Sequence, residues 1–284
     1  MALVKVNELL QDATENHYGV AAVNIMNMEM ARYVVEAAEA ERMPIIVQYY
    51  PGFADYAPLA TIAYAAKYFA ERASVPVAVH QDHSRGYDIA LSGIRDGFPS
   101  VMVDGSALPY EENVALTKAV VDAGRVFNVD VEAELGHVGD GSNASDFDSA
   151  DLYTSVEQAV EFVERTGCGS LAVAVGNAHG PYVKTPKLDF DRIRELRAAL
   201  DLPLVMHGCS DIPDEQLQEC VRLGMSKFNI ATEYFRALYR ALERDIASGE
   251  HDGDGVNLLM AIGDDMRAFV ASKIRLLNPN GYTL

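Results

Sequence analysis

The 284 residues are 49% hydrophobic, enough to bury the core of one α/β barrel domain running from 1 to 284. Their 23 basic against 42 acidic residues give a formal charge of −19, which repels nucleic acid and anionic membranes, so an anionic ligand must be gripped by local N–H groups and a few placed cations. No basic segment followed by an apolar core opens the chain, no run of 18 apolar residues occurs, and Cys168, Cys209 and Cys220 lack CxxC spacing; a cytoplasmic protein with no membrane span, disulfide framework or thiolate metal site is expected.

Short β-branched runs alternate with segments of helical apolar spacing. Strands are expected at 20–24, 44–48, 76–80, 100–103, 129–133, 170–175, 203–206 and 227–231, with helices at 29–42, 57–72, 111–126, 156–166, 189–200 and 214–223. Tail helices near 233–248 and 258–276 flank a polar, Gly-rich surface loop at 249–257. Eight βα units whose strands are too apolar to face water predict the α/β class, specifically a closed (β/α)8 TIM barrel with additional C-terminal helices.

Catalytic groups of such barrels sit at the C-terminal ends of the strands. These ends are polar throughout: Asn24, Gln48, Asp82 and His83, Asp104, Glu132 and Glu134, Asn177 and His179, His207, then Asn229 and Thr232. A single polar strand end is often only a hydrogen-bonding anchor, but all eight together predict a mouth lined for chemistry. His83, His179 and His207 follow different strands, and three converging imidazoles suit a catalytic zinc with an open position for substrate. His17 and His251 are read as solvated, and His80 as a packing or supporting group inside the barrel. Asp82 adjoins His83, so its carboxylate would serve as proton donor or acceptor beside a bound substrate. Asp104 and Glu134 could hold a second cation or orient the histidines. HGCSD (207–211) and NIATE (229–233) lead into helices after strands 7 and 8, a common phosphate site of barrels, and Gly208, Ser210, Asn229 and Thr232 fit that role.

Set side by side, VHQDH (79–83), VEAELGHVG (131–139), VAVGNAHGPY (173–182), LVMHGCSDIPDE (204–215) and SKFNIATE (226–233) resemble class II fructose- and tagatose-bisphosphate aldolases, over nearly the whole chain and most closely the tagatose branch. The resemblance implies Asp82 as general acid/base, His83, His179 and His207 as zinc ligands, and Asp104 and Glu134 as ligands of an alternative or second divalent position. It implies dihydroxyacetone phosphate contacts from Gly180, from Gly208, Cys209 and Ser210, and from Asn229, Ile230, Ala231 and Thr232, with a monovalent cation, Na+ or K+, close by. A homodimer or homotetramer is implied as well. Three positions depart from the family pattern. Cys209 stands where Gly or Ala is usual, Tyr50 stands near a Ser of fructose-specific members, and the loop 136–150 contains no glutamate. Its only carboxylates, Asp140, Asp146 and Asp148, are the candidates for the loop base.

The expected reaction is reversible aldol cleavage of a phosphorylated ketose, a tagatose or fructose 1,6-bisphosphate, to dihydroxyacetone phosphate and an aldehyde such as glyceraldehyde 3-phosphate. Alternatives are an aldolase for another ketose phosphate and a sugar-phosphate-binding relative without chemistry. No strand-end lysine is placed as a Schiff-base nucleophile. A metal-dependent barrel hydrolase would need an early HxH pair, whereas strand 1 ends at Asn24.

Overall fold

The computed structural model describes residues 2–143, 145, 149 and 152–284. Eight parallel strands close into a barrel: β1 (Val20–Asn24), β2 (Ile45–Tyr49), β3 (Val77–Ser84), β4 (Ser100–Val103), β5 (Asp130–Leu135), β7 (Ser170–Val173), β9 (Leu204–Met206) and β10 (Met225–Ile230). Each neighbours the next around the ring, with β10 pairing back onto β1. All eight expected strands are present. Two further short segments, β6 (Gly139–Asp140) and β8 (Ala178–His179), form a separate parallel ribbon at the mouth. Polar loop residues with no β-branched run carry no strand signal, so this ribbon was not readable from the sequence.

The helices outside the barrel follow the expected periodicity: α2 (Met28–Glu41), α3 (Leu59–Ala70), α5 (Tyr110–Phe127), α6 (Val156–Thr166), α7 (Phe190–Ala199) and α8 (Asp214–Arg222). Their ends obey local chemistry. Asn27 caps α2 by accepting from Met30 N, and Ser155 caps α6 by accepting from Gln158 N. Two helices go beyond the sequence reading. α1 (Val6–Asn16) buries Val6, Leu9, Leu10 and Ala13 against β3 and β10 at the barrel foot. α4 (Tyr87–Asp96) fills the β3–β4 connection, with only Ala90 and Gly93 buried, too narrow an apolar stripe to announce itself.

The tail differs from expectation too. α9 (Thr232–Ser248) is followed by α10 (Gly255–Ala261) and α11 (Gly263–Leu276) rather than by one helix over 258–276, and the surface loop is shortened by the early start of α10. Asp254 caps α10 through Asn257 N. Gly263 marks the break, where a Cβ would fall 2.8 Å from the Tyr33 ring as α11 packs on α2. Among the described residues no helix is long and apolar enough to cross a membrane.

The site depends on one irregularity in β3. Alternation sends successive side chains to opposite faces, yet the register with β4 shifts between Gln81 and Ser84, and His83 takes a left-handed backbone, φ 41°. This bulge brings both Asp82 and His83 to the mouth. Gln81, fully buried beneath α4, pins it by donating from Nε2 to Ser84 Oγ (2.7 Å) and to Ile89 O (3.0 Å). Only glycine fits at position 93, because a Cβ there would lie 1.7 Å from Gln81 Oε1. Gly93→Ala should therefore displace the clamp and destabilise the fold by about 1–3 kcal/mol, the usual range for overpacking. Urea denaturation of the metal-free protein measures this, and an unchanged midpoint would show that Gln81 does not hold the bulge.

Candidate active site

The barrel interior is polar in two layers. In the lower one, Glu132 is fully buried and meets Lys227 Nζ at 2.9 Å (Oε2) and 3.0 Å (Oε1). It also accepts from His207 Nε2 at 3.1 Å. His80 joins this layer, with Nδ1 2.8 Å from Ser100 Oγ and Nε2 3.9 Å from Glu132, the supporting position expected for it. Burial would raise the Glu132 pKa, but Lys227 and His207 outweigh that and hold the carboxylate well below its usual range. Burial, reinforced by the Lys227 charge, pushes His80 down to about 3, so its imidazole stays neutral.

The upper layer orients Asp82. Asn24 donates from Nδ2 to Oδ2 (2.9 Å) and Asn229 from Nδ2 to Oδ1 (3.1 Å), while Gln48 Nε2 fixes Asn24 through Oδ1 (2.7 Å). Burial acts to raise the Asp82 pKa, yet His83, His207, Lys227 and the Asn24 hydrogen bond together lower it. The carboxylate is thus held ionised and aimed into the pocket.

His83, His179 and His207 converge above it, with ring centroids 4.5 to 5.6 Å apart. One nitrogen from each lies within 4.8 Å of the others. His179 Nε2 is buried without a hydrogen-bond partner, the signature of a nitrogen that a metal ion would satisfy, while His207 Nδ1 faces Glu134 Oε2 at 3.0 Å. A carboxylate can only accept, so Glu132 requires the His207 proton on Nε2 and leaves Nδ1 as the ligand atom. Asp104 does the same for His83, accepting from Nδ1 at 3.1 Å and leaving Nε2. Asp104 itself is held by Ser106 through N and Oγ. Burial and the neighbouring histidines push His179 down to about 3, keeping it an unprotonated donor. Burial alone would lower His207, but Glu132 and Glu134 raise it to about 10. Metal binding at Nδ1 must therefore displace a proton. His83, Asp104 and Glu134 form a second group of the same closeness, sharing His83 with the first. The chemistry and spacing of both donor sets suit a divalent ion.

The pocket at this mouth has a volume of about 390 Å³. Of the residues expected to contact substrate, it is lined by Gly180, Gly208, Ser210, Asn229, Ala231 and Thr232. Cys209 and Ile230 are not brought to the wall. The Cys209 side chain is buried against Met206 O, and its N–H is already given to Asn229 O. Ile230 is a core residue of β10. Gly208 adopts φ 62°, and a Cβ there would lie 1.9 Å from Ala178 O, so the turn admits no side chain. The first turn of α9 points at this wall, and its cap residue Ala231 offers no side-chain acceptor. Glu233 N–H of that turn is given to Ser210 Oγ at 3.2 Å, and the dipole of the α9 N-terminus still favours an anion at the wall.

Of the three loop aspartates, Asp146 and Asp148 lie outside the described residues. Asp140 sits on the β6–β8 ribbon in register with His179, and its Oδ1 accepts from Ser142 N (2.8 Å). His251, expected to be solvated, is half-buried with Nδ1 2.9 Å from Asp245, whereas His17 is exposed as expected. The sequence reading missed Lys227 and Arg85. Lys227 shares the parity of Asn229, which was the available signal. Arg85, in a loop, gave none.

A family model described as "Fructose-bisphosphate aldolase class-II" matches residues 4–282. The chain belongs to that family. Escherichia coli K12 YdjI, described as uncharacterized, is 37% identical over 270 residues, covering 95% of each chain. The crystal structure of the YdjI aldolase superposes with a TM-score of 0.88 at 35% identity, covering 98% of both chains. A fructose-bisphosphate aldolase from Campylobacter jejuni matches at TM-score 0.83 and 21% identity over 98% of this chain and 96% of that one, a likeness of fold. The two donor groups at the barrel mouth are of a kind that could hold the metal ion typical of this family.

Lys227→Met, which strips Glu132 of its counter-charge, should destabilise this aldolase-family protein by about 3–5 kcal/mol, the range for breaking a buried pair. Pairing it with Glu132→Gln should recover part of that loss, as read from chemical denaturation of the single and double variants. Independent, additive losses would refute the coupling.

Proposed function

We propose that the protein is a divalent-metal-dependent class II ketose-bisphosphate aldolase. The reaction is reversible cleavage of a tagatose- or fructose-type 1,6-bisphosphate to dihydroxyacetone phosphate and glyceraldehyde 3-phosphate, with zinc as the ion that three imidazoles suit best. The observation that carries this reading is the meeting of three imidazoles, two buried and that of His179 half-buried, with an oriented carboxylate and an anion cradle around one pocket.

A divalent ion held by His83, His179 and His207 supplies Lewis-acid polarisation of the ketose carbonyl. The remaining steps belong to the chain. Gly208, Ser210 and the Ala231–Thr232 turn hold the phosphate through backbone N–H groups and the α9 N-terminus, with Gly180 and Asn229 completing the wall. In cleavage, Asp82 removes the proton of the hydroxyl on the carbon that becomes the aldehyde. In condensation it returns that proton to the new hydroxyl. Asn24 and Asn229 hold its two oxygens so that no rotamer search precedes transfer. Proton exchange at the carbon of dihydroxyacetone phosphate falls to the loop 136–150, where Asp140 stands beside His179. Asp104 and Glu134 orient the cradle and offer a second position for the ion.

Treatment with a chelator should abolish cleavage and added zinc should restore it, while borohydride with substrate leaves the enzyme active. Covalent trapping on a lysine would refute the metal mechanism. Asp82→Asn should retain metal binding, measured by zinc titration, yet lower turnover by about two to four orders of magnitude. Near-normal turnover would remove Asp82 from the reaction.

A further inference from the structure

The pocket has two unlike ends. Around the closed ring, β3 stands four strands from β9 in either direction, so the loop after β3 faces the phosphate loop across the mouth. The histidine cradle lies between them. A ketose whose phosphate sits at Gly208 and Ser210, and whose carbonyl end reaches the histidines, must send its remaining carbons toward β3 and β2. That end is walled by Tyr50 and Phe53, packed edge to face at 5.4 Å, and by Arg85.

Arg85 differs from the other cations near the barrel mouth. Lys227, Arg236 and Lys273 each have a carboxylate oxygen within hydrogen-bond reach, at 2.9 Å from Glu132, 2.8 Å from Asp211 and 2.6 Å from Glu233. Among the described residues the carboxylate nearest to Arg85 is 3.9 Å away, and that group, Asp104, is already committed to His83 and Ser106. Among the described residues its guanidinium makes no hydrogen bond, and it is the one Lys or Arg lining the pocket. Its side chain is 72% exposed. In a chain of charge −19, an unspent guanidinium two residues after a candidate metal ligand has one evident use. It can bind an incoming oxyanion through its planar fork of donors.

We propose that Arg85 is the residue by which this enzyme selects its aldehyde, binding an anionic group, phosphate ester or carboxylate, at the end of the aldehyde half remote from the reacting carbon. Tyr50 and Phe53 line the same end with ring surface, which leaves Arg85 as its source of charge recognition. The inference rests on the aldolase reading above, because it assigns ends of the pocket to halves of that substrate.

The test is condensation by the zinc-loaded enzyme of dihydroxyacetone phosphate with glyceraldehyde 3-phosphate, with succinic semialdehyde and with neutral glyceraldehyde, for wild type, Arg85→Gln and Arg85→Lys. Exchange of the dihydroxyacetone phosphate C–H proton with solvent is followed in parallel, since it needs no aldehyde. Arg85→Gln should lower the ratio of kcat/KM for an anionic over the neutral aldehyde by about tenfold or more, the usual scale for a lost charged hydrogen bond, while exchange still proceeds. Arg85→Lys should recover part of the ratio, keeping the charge without the fork. A fall for glyceraldehyde 3-phosphate alone assigns Arg85 to a phosphate ester, and a fall for succinic semialdehyde alone assigns it to a carboxylate. An unchanged ratio, or an equal fall for all three aldehydes, overturns the proposal. Absence of both exchange and condensation in wild type would instead defeat the aldolase reading.

Discussion

Glu132 is a carboxylate in the middle of a barrel, closed off from bulk solvent, and much of the site follows from how that charge is met. An unpaired ion there would be expelled or protonated. Lys227, projecting from the far side of the ring, neutralises it. Glu132 then has acceptor capacity left over, and it spends that on His207 Nε2. A pair of this kind contributes little to net stability against an apolar alternative. What it supplies here is direction: with Nε2 occupied, His207 has a single nitrogen to offer, turned toward His83 and Glu134. A hydrophobic barrel centre would pack as well and leave that ring free to rotate.

Orientation at the mouth is solved differently on the opposite wall. A regular β3 could present either Asp82 or His83, but not both, because alternation would turn one of them out toward α4. The bulge and the left-handed backbone at His83 remove that restriction, at an expense in local strain that the surroundings must sustain. Gln81 beneath α4 is the part that sustains it. Thus the helix that reads most weakly in the sequence secures the two most closely coupled residues of the site.

How much of this was legible follows from the kind of signal each part leaves. The barrel strands are buried on both faces, so their apolar runs stood out, and helices such as α6 with broad apolar stripes did as well. α1 and α4 did not, the first lying before the repeating pattern begins and the second fully burying only the small residues Ala90 and Gly93. The histidines and Asp82 were recognisable because they end strands in a chain where strand ends converge. Cys209 and Ile230 occupy the right segments but face the core, and a segment-level resemblance cannot tell which residue of a turn points inward. Lys227 was hidden by expectation, since lysine is seldom fully buried. Parity with Asn229 places it inside the barrel, where only a buried acid could justify it, and Glu132 shares the inward face of β5 with Glu134.

The acidity of the chain and the anionic nature of its proposed ligands are reconciled by distance. At physiological ionic strength a charge is screened within about 8 Å, so the excess of carboxylates spread over helices such as α1 and α2 exerts little force at the bottom of the mouth. There the local arrangement decides. The α9 N-terminus and the small residues of the β9 loop meet one end of the substrate with backbone dipoles, which carry no counterion and cannot be neutralised by a neighbouring acid. The metal cradle takes the centre. Arg85 stands at the other end, and because Asp104 is already engaged with His83 and Ser106, the guanidinium is not drawn into a tight pair of its own. The same carboxylate that fixes a histidine tautomer thereby leaves the arginine available. Asp104 thus links the geometry of the metal site to the charge of the entrance, which is why substitution at Asp104 would disturb both, whereas substitution at Arg85 tests the entrance alone.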